Sequence, residues 1–186
     1  MTARARLLAL LRSDAYRRGT FTLASGRTSD FFIDCKQVLL SAEGHALAGE
    51  LFCEAVDAFV REHGSSVRAV AGVALGGCPL ASAVSMRSFL REGASYDALY
   101  VRKEAKDHGT KKLIEGRVPQ GAPVVLLEDV LTSGGSSLAA VGHLVEAGYD
   151  VRAVFSLVDR REGGLDAVRA RVPHAQALFA REDFVS

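Results

Sequence analysis

The chain has 186 residues, 48% of them apolar, and a formal net charge of +1 from 23 basic and 22 acidic side chains. That length and apolar fraction suit one domain with a sizeable core and argue against disorder. The near-neutral balance gives no electrostatic case for nucleic acid or a membrane surface, no apolar run reaches a membrane span, and three widely spaced cysteines form neither a disulfide framework nor a zinc pattern.

Leu7 to Leu11 is apolar, but the run is short and Arg12 and Asp14 follow it without a cleavage pattern, so residues 2–18 read as an amphipathic helix stopped by Gly19. Phe21-Thr22-Leu23 and Phe31-Phe32-Ile33-Asp34 are strand-like and flank a turn over residues 25–29, which predicts a small hairpin. Ser41 is a good N-cap for a helix over residues 42–63. Val67 to Leu75 is a buried-strand pattern, Gly76-Gly77-Cys78-Pro79 a strand-to-helix loop, and the next helix runs to Arg91. Strands follow over residues 98–101, 124–127, 151–158 and, weakly, 176–179, with helices to Ala147 (closed by Gly148) and to Arg171 between them. Alternating strands and helices predict an α/β fold: a parallel-sheet core with helices on both faces and a small N-terminal hairpin. The three cysteines fit a reducing cytoplasm, each as a small buried hydrophobe.

The stretch from Val124 to Leu138 carries the clearest chemistry. Four apolar residues suit a strand buried on both faces, the carboxylates Glu128 and Asp129 stand where that strand is expected to end, and Thr132-Ser133-Gly134-Gly135-Ser136-Ser137 precedes a new apolar pattern. Ligands of open parallel sheets bind beyond the carboxyl ends of the strands, and loop amides at a helix start favour a bound anion, most often phosphate. The loop is neither a P-loop nor a dinucleotide fingerprint, and neither a zinc-protease helix motif nor a nucleophile elbow is present. Alone, Glu128-Asp129 also suits a solvated turn. Arg160, after the strand ending at Val158, likewise suits an exposed arginine, although it falls at the functional edge of such a sheet. Residues 102–117 carry six basic against three acidic residues, +3 with His108 neutral, and almost no apolar periodicity. Such a run is usually a solvated loop, but a long basic loop beside a phosphate cradle also suits a lid over a substrate with several phosphates.

Val124 to Ser137 resembles the phosphoribosyl-pyrophosphate (PRPP) binding motif of type I phosphoribosyltransferases: apolar run, two acids, two residues, Thr, small residue, Gly. Arg102-Lys103-Glu104-Ala105-Lys106-Asp107-His108-Gly109 resembles the lid motif of the orotate phosphoribosyltransferase family in particular. Phe21 to Ser29 resembles that family's N-terminal hairpin, and Asp159-Arg160 its orotate-end arginine, all in matching order over residues 20–162.

The resemblance implies the type I phosphoribosyltransferase fold over residues 1–186, with residues 1–40 as a hood and 41–186 as the core. It implies transfer of the phosphoribosyl group from PRPP to orotate in pyrimidine biosynthesis. Thr132, Ser133, Gly134, Gly135 and Ser136 would cradle the 5′-phosphate, with Val130 and Leu131 leading into the cradle, and Glu128 and Asp129 would hold the ribose hydroxyls. Arg102, Lys103, Lys106 and His108 would bind pyrophosphate, the lid reaching a neighbouring subunit of a homodimer; Lys103, Lys106, His108 and Asp129 are the implied catalytic set. Arg160 would pair with the orotate carboxylate, and Thr132 and the hairpin backbone at Phe32 and Ile33 would meet the base. The implied cofactor is Mg²⁺, held mainly by substrate oxygens.

Two positions depart from the commoner pattern. Ala24 stands where many members carry lysine, and Leu75-Gly76-Gly77 where many carry Tyr-Lys-Gly, as in another branch of the family. The Gly76 and Gly77 amides could partly replace a missing cation as a nest. A purine phosphoribosyltransferase and a non-catalytic nucleotide-binding regulator of the same fold remain as alternative readings.

Overall fold

The structure, a computed structural model, describes residues 1–22, 28–103 and 112–185. Its chain order is α1 (Ala3–Leu10), a wider π-helical turn (Leu11–Ala15), β1 (Tyr16–Thr22), β2 (Thr28–Ile33), α2 (Lys36–Leu39), α3 (Ala42–His63), β3 (Ala69–Val73) and α4 (Gly77–Phe89). There follow β4 (Asp97–Val101), β5 (Ile114–Glu115), β6 (Pro123–Leu131), α5 (Gly135–Glu146), β7 (Asp150–Asp159), α6 (Gly164–Arg169), β8 (Ala175–Ala180) and α7 (Glu182–Val185).

Six strands form one sheet in the order β5-β4-β3-β6-β7-β8, all parallel except the short antiparallel β5. From the centre the chain winds one way, β3 to β4, and then the other, β6 to β7 to β8. The direction reverses between β3 and β6, so a crevice opens where their carboxyl ends diverge. The apolar run in β6 divides its side chains between the two faces. Val125 and Leu127 join a core with Phe52, Val56 and Leu80 from α3 and α4. Val124 and Leu126 join a second core with Val141 and Leu144 from α5. Burying each such side chain contributes roughly 1.5–3 kcal/mol before chain entropy is counted.

Ser41 caps α3, its Oγ accepting from the Gly44 amide at 3.1 Å, and Gly64 ends the helix in the left-handed region (φ 58°). β1 and β2 pair antiparallel, and Phe31 is buried between the rings of Tyr16 (5.0 Å) and Phe184 (5.7 Å). The expected hairpin is therefore present, and the helix expected over residues 2–18 is present but shorter. It ends by residue 15 because Tyr16 and Arg17 join a ladder opposite Ile33 and Phe32. β6 runs on to Leu131, so the acidic pair lies within the strand: β7 keeps pairing with it through Leu131↔Asp159. Residues 104–111 of the expected lid lie outside the described residues, and its far end returns as β5 against Tyr100 and Val101. No described helix is long and apolar enough to cross a membrane.

Candidate active site

The crevice at the β3/β6 switch point gathers three loops. The first follows β6. Gly134 takes φ 81°, a conformation suited to glycine, and α5 begins at Gly135. A Cβ at Gly164 would meet the Thr132 carbonyl at 2.3 Å, and one at Gly134 would meet the Gly164 carbonyl at 2.9 Å. Glycine-on-glycine packing thus seats the cradle on the start of α6. Ser133, Gly135 and Ser136 are exposed, so amides and a hydroxyl at the first turn of α5 face solvent at a positive helix end.

Glu128 and Asp129 stand next to this cradle, and their surroundings differ. Glu128 is only 4% exposed. It turns to the α5 side, where its Oε2 accepts from Ser137 Oγ at 2.8 Å and Ser136 Oγ at 3.2 Å. Burial pushes its pKa up to about 7, the Asp129 charge adds to the rise, and the serine hydroxyls oppose it. The solvated-turn alternative therefore does not describe Glu128. Asp129 is half-buried and turns to the other side, towards the loop before α4. Its Oδ1 accepts from the Val130 amide at 3.0 Å, and Cys35 Sγ lies 4.0 Å from its carbonyl oxygen.

That cysteine brings Asp34 and Lys36 to the site. The Lys36 ammonium lies 2.5 Å from Asp34 Oδ1; this pairing, then burial opposing it, then the charges of Asp34 and Asp129 act on its pKa, which is raised overall. Neither residue was singled out from sequence. The contact spans 94 positions, and only the strand-like Phe31-Phe32-Ile33-Asp34 run pointed to this region.

The second loop joins β3 to α4. The Ala74–Leu75 peptide is cis. Gly72 and Gly77 press backbone to backbone, a Cβ on Gly72 meeting the Gly77 carbonyl at 2.2 Å. Beside this loop, Ala74, Leu75, Cys78, Tyr100, Arg102, Lys103 and Glu115 line a cleft of about 580 Å³. Arg102 is anchored there, its amide on the Leu113 carbonyl at 2.8 Å and its Nε 3.3 Å from Glu115. Lys103 is exposed. Lys106, His108 and the hairpin position Ala24 lie outside the described residues.

The third loop follows β7. Arg160 is 7% exposed, not the surface arginine that its position alone also allowed. Its amide bonds to the Leu131 carbonyl at 2.9 Å, its Nη2 donates to the Phe31 carbonyl at 3.0 Å, and Glu162 Oε1 lies 2.8 Å away. The guanidinium also rests over the Phe31 ring at 5.6 Å. Asp159 holds the following turn, where Arg161 takes a left-handed backbone (φ 58°), by accepting from the Arg161 amide at 2.9 Å. Phe32 is exposed and rests on Phe21 at 5.2 Å, while Ile33 is buried. The hairpin thus reaches Arg160 through the carbonyl of Phe31, one residue before the expected pair.

The crevice combines an anion cradle, two carboxylates, anchored cations and a buried arginine. That arrangement can hold a phosphorylated polyol at one end and a small planar anion at the other. Among the described residues no group of three or more His, Cys, Asp and Glu side chains could hold a metal ion. The acidic pair offers hard oxygens that could share a divalent ion with a phosphorylated ligand.

No protein-family model matches the chain. It is 56% identical over 185 residues to the orotate phosphoribosyltransferase of Sorangium cellulosum, covering 98% of this chain and 93% of that one. Its structure is similar to that of Mycobacterium tuberculosis H37Rv orotate phosphoribosyltransferase in complex with Fe(III) dicitrate (TM-score 0.82, 32% identity, all of both chains). The same enzyme in complex with PRPP is also similar (TM-score 0.78, 30% identity, 98% of this chain and 99% of that one).

Proposed function

The chain belongs to the orotate phosphoribosyltransferase family, and on that premise we propose that the crevice between β3 and β6 transfers the 5-phosphoribosyl group of PRPP to orotate. The products are orotidine 5′-monophosphate and pyrophosphate, a step of pyrimidine biosynthesis. The observation that supports the proposal is one shared edge: the cradle after β6, the acidic pair near the end of β6 and Arg160 after β7 all lie at the carboxyl ends of neighbouring parallel strands.

In this reading the amides and hydroxyls from Thr132 to Ser136 hold the 5′-phosphate at the start of α5. Glu128 and Asp129 accept hydrogen bonds from the ribose hydroxyls. Arg102 and Lys103 receive the pyrophosphate, assisted by Lys106 and His108, whose roles rest on the motif alone. Arg160 takes the orotate carboxylate, a two-donor task that lysine cannot match, with Thr132 and the hairpin at Phe32 and Ile33 beside the base. The C1′–oxygen bond to pyrophosphate breaks as the bond from orotate N1 forms. Positive charge develops on the ribose and negative charge on the leaving group. Fixed cations aimed at that charge are typically worth about 3–4 kcal/mol each in the transition state.

Mg²⁺ would be held mainly by PRPP and pyrophosphate oxygens and would supply neutralisation of pyrophosphate charge. Residues 1–186 act as one phosphoribosyltransferase domain, with 1–40 as hood and 41–186 as core. Three free cysteines, two of them buried, are consistent with a cytoplasmic protein. Met86, Phe89 and Leu90 crowd the exposed end of α4, with Phe89 79% exposed, which supports self-association as a homodimer whose lid serves a neighbouring site.

Adding PRPP and Mg²⁺ to the purified protein with orotate should deplete orotate absorbance. Absence of turnover with orotate, or turnover with a purine instead, rules the proposal out.

A further inference from the structure

We propose that Gly76 is a positioning residue for the transfer: the space left by its missing side chain is where the Asp129 carboxylate is held, against the loop that joins β3 to α4. The inference rests on the assignment of Asp129 as a sugar-binding acid made above.

The argument starts from the backbone. Gly76 has φ −68° and ψ −30°, ordinary right-handed helical values that any L-residue adopts. The chain direction therefore does not require glycine there. The surroundings do. A Cβ built on Gly76 lies 1.9 Å from Asp129 Oδ2, 2.2 Å from its Cγ and 2.6 Å from its Oδ1, and these are its three nearest atoms. Carbon and oxygen cannot approach that closely without a bond, so any side chain at position 76 and the present Asp129 rotamer exclude each other. The lysine of the commoner family pattern is excluded with the rest.

The neighbouring glycines differ in kind. A Cβ on Gly77 would strike the Leu127 carbonyl at 2.5 Å, and one on Gly72 would strike the backbone of Gly77. Those two keep the loop pressed on the strand and serve the fold. Gly76 alone of the three makes room for a side chain of the site. The other restraints on Asp129 are local: its Oδ1 accepts from the Val130 amide, and its carboxylate meets the carboxyl of Glu128, the residue before it. Removing the Gly76 pocket frees the carboxylate to turn about its own Cα–Cβ bond while the backbone stays in place.

The test is a double-mutant cycle on Gly76→Ala and Asp129→Ala, read with PRPP, orotate and Mg²⁺. Gly76→Ala should melt at or above the temperature of the unaltered protein, because alanine suits the helical conformation better than glycine. Its kcat/KM for PRPP should fall about 10- to 100-fold, the penalty of a displaced contact, with KM for orotate unchanged. In the Asp129→Ala background the same substitution should cost less than about twofold. A crystal structure of Gly76→Ala should show the Asp129 carboxylate rotated away. Equal losses in both backgrounds, or an unmoved Asp129, overturn the inference. A loss on Asp129→Ala with none on Gly76→Ala overturns this inference alone. An Asp129→Ala variant as active as the unaltered protein removes the sugar-binding assignment and the inference together.

Discussion

Glu128→Gln isolates the energetics of the buried acid. Glu128 is 4% exposed, and burial first, then the neighbouring Asp129 charge, raise its pKa from 4.5 to about 7 against the two serine donors. In the unfolded chain the same group titrates near 4.5. Between these values the folded, ligand-free protein binds a proton that the unfolded chain has lost. Stability contributed by that proton is complete below about pH 4.5 and is lost as pH rises to about 7. At ~1.4 kcal/mol per tenfold change in proton affinity, the full loss is ~3 kcal/mol. Glutamine keeps the neutral acid's shape and still accepts from Ser136 and Ser137, so it should not lose stability over this range. Urea unfolding of both proteins at pH 5, 6, 7 and 8 measures the difference directly. The two should be close at pH 5, and Glu128→Gln should be more stable by up to ~3 kcal/mol at pH 8. A stability difference that stays constant across that range would refute the reasoning. The substitution should also weaken PRPP binding, because sugar hydroxyls donate best to the ionised acid.

Three further substitutions separate site from scaffold. Arg160→Lys should raise KM for orotate about 10- to 100-fold in steady-state assays, since an ammonium lacks the planar fork that can pair a ligand carboxylate with two donors while still reaching the Phe31 carbonyl and Glu162. Gly134→Ala forces a Cβ to φ 81° and to 2.9 Å from the Gly164 carbonyl. It should reduce stability by ~1–3 kcal/mol in thermal melts and also weaken PRPP binding by calorimetry. Asp57→Asn loosens a remote cluster in which Asp57 accepts from Tyr96 Oη at 2.5 Å and Arg91 Nη2 at 2.8 Å. It should cost ~1–3 kcal/mol in urea unfolding, while kcat/KM of the folded protein stays unchanged.

Local signals made much of this molecule legible in its sequence. The Ser41 cap fixed the start of α3, and the unbroken apolar run at Val124 marked a strand covered on both faces. Failures came where structure depends on distant partners. Tyr16-Arg17-Arg18-Gly19 has no strand alternation, and it becomes one through pairing with β2. α2 and α7 have four residues each, too few to display a helical period. The motif identified Glu128 and Asp129 but not their environments, because an acid at a strand end normally reads as solvated. Only the serines eight and nine residues later bury one of them in hydrogen bonds. Arg160 and Phe31, 129 positions apart, had no local signal linking them.

The period-two alternation of β6 explains why two adjacent carboxylates differ so much. Leu126 faces the α5 core and Leu127 the core of α3 and α4, and the strand continues unbroken past the pair. Glu128 therefore follows Leu126 towards the start of α5, where burial makes it a proton-holding acid against the opposing pull of two serine hydroxyls. Asp129 follows Leu127 towards the loop before α4, where Gly76 leaves space for its carboxylate. Had the strand stopped at Leu127, both acids would lie in a loop with no fixed face. Extending it by four residues, through Leu131↔Asp159, turns one acid to the serines at the start of α5 and the other to the loop of Leu75 and Gly76. The proposed binding of PRPP by its two charged ends uses that division, and one strand register supplies it.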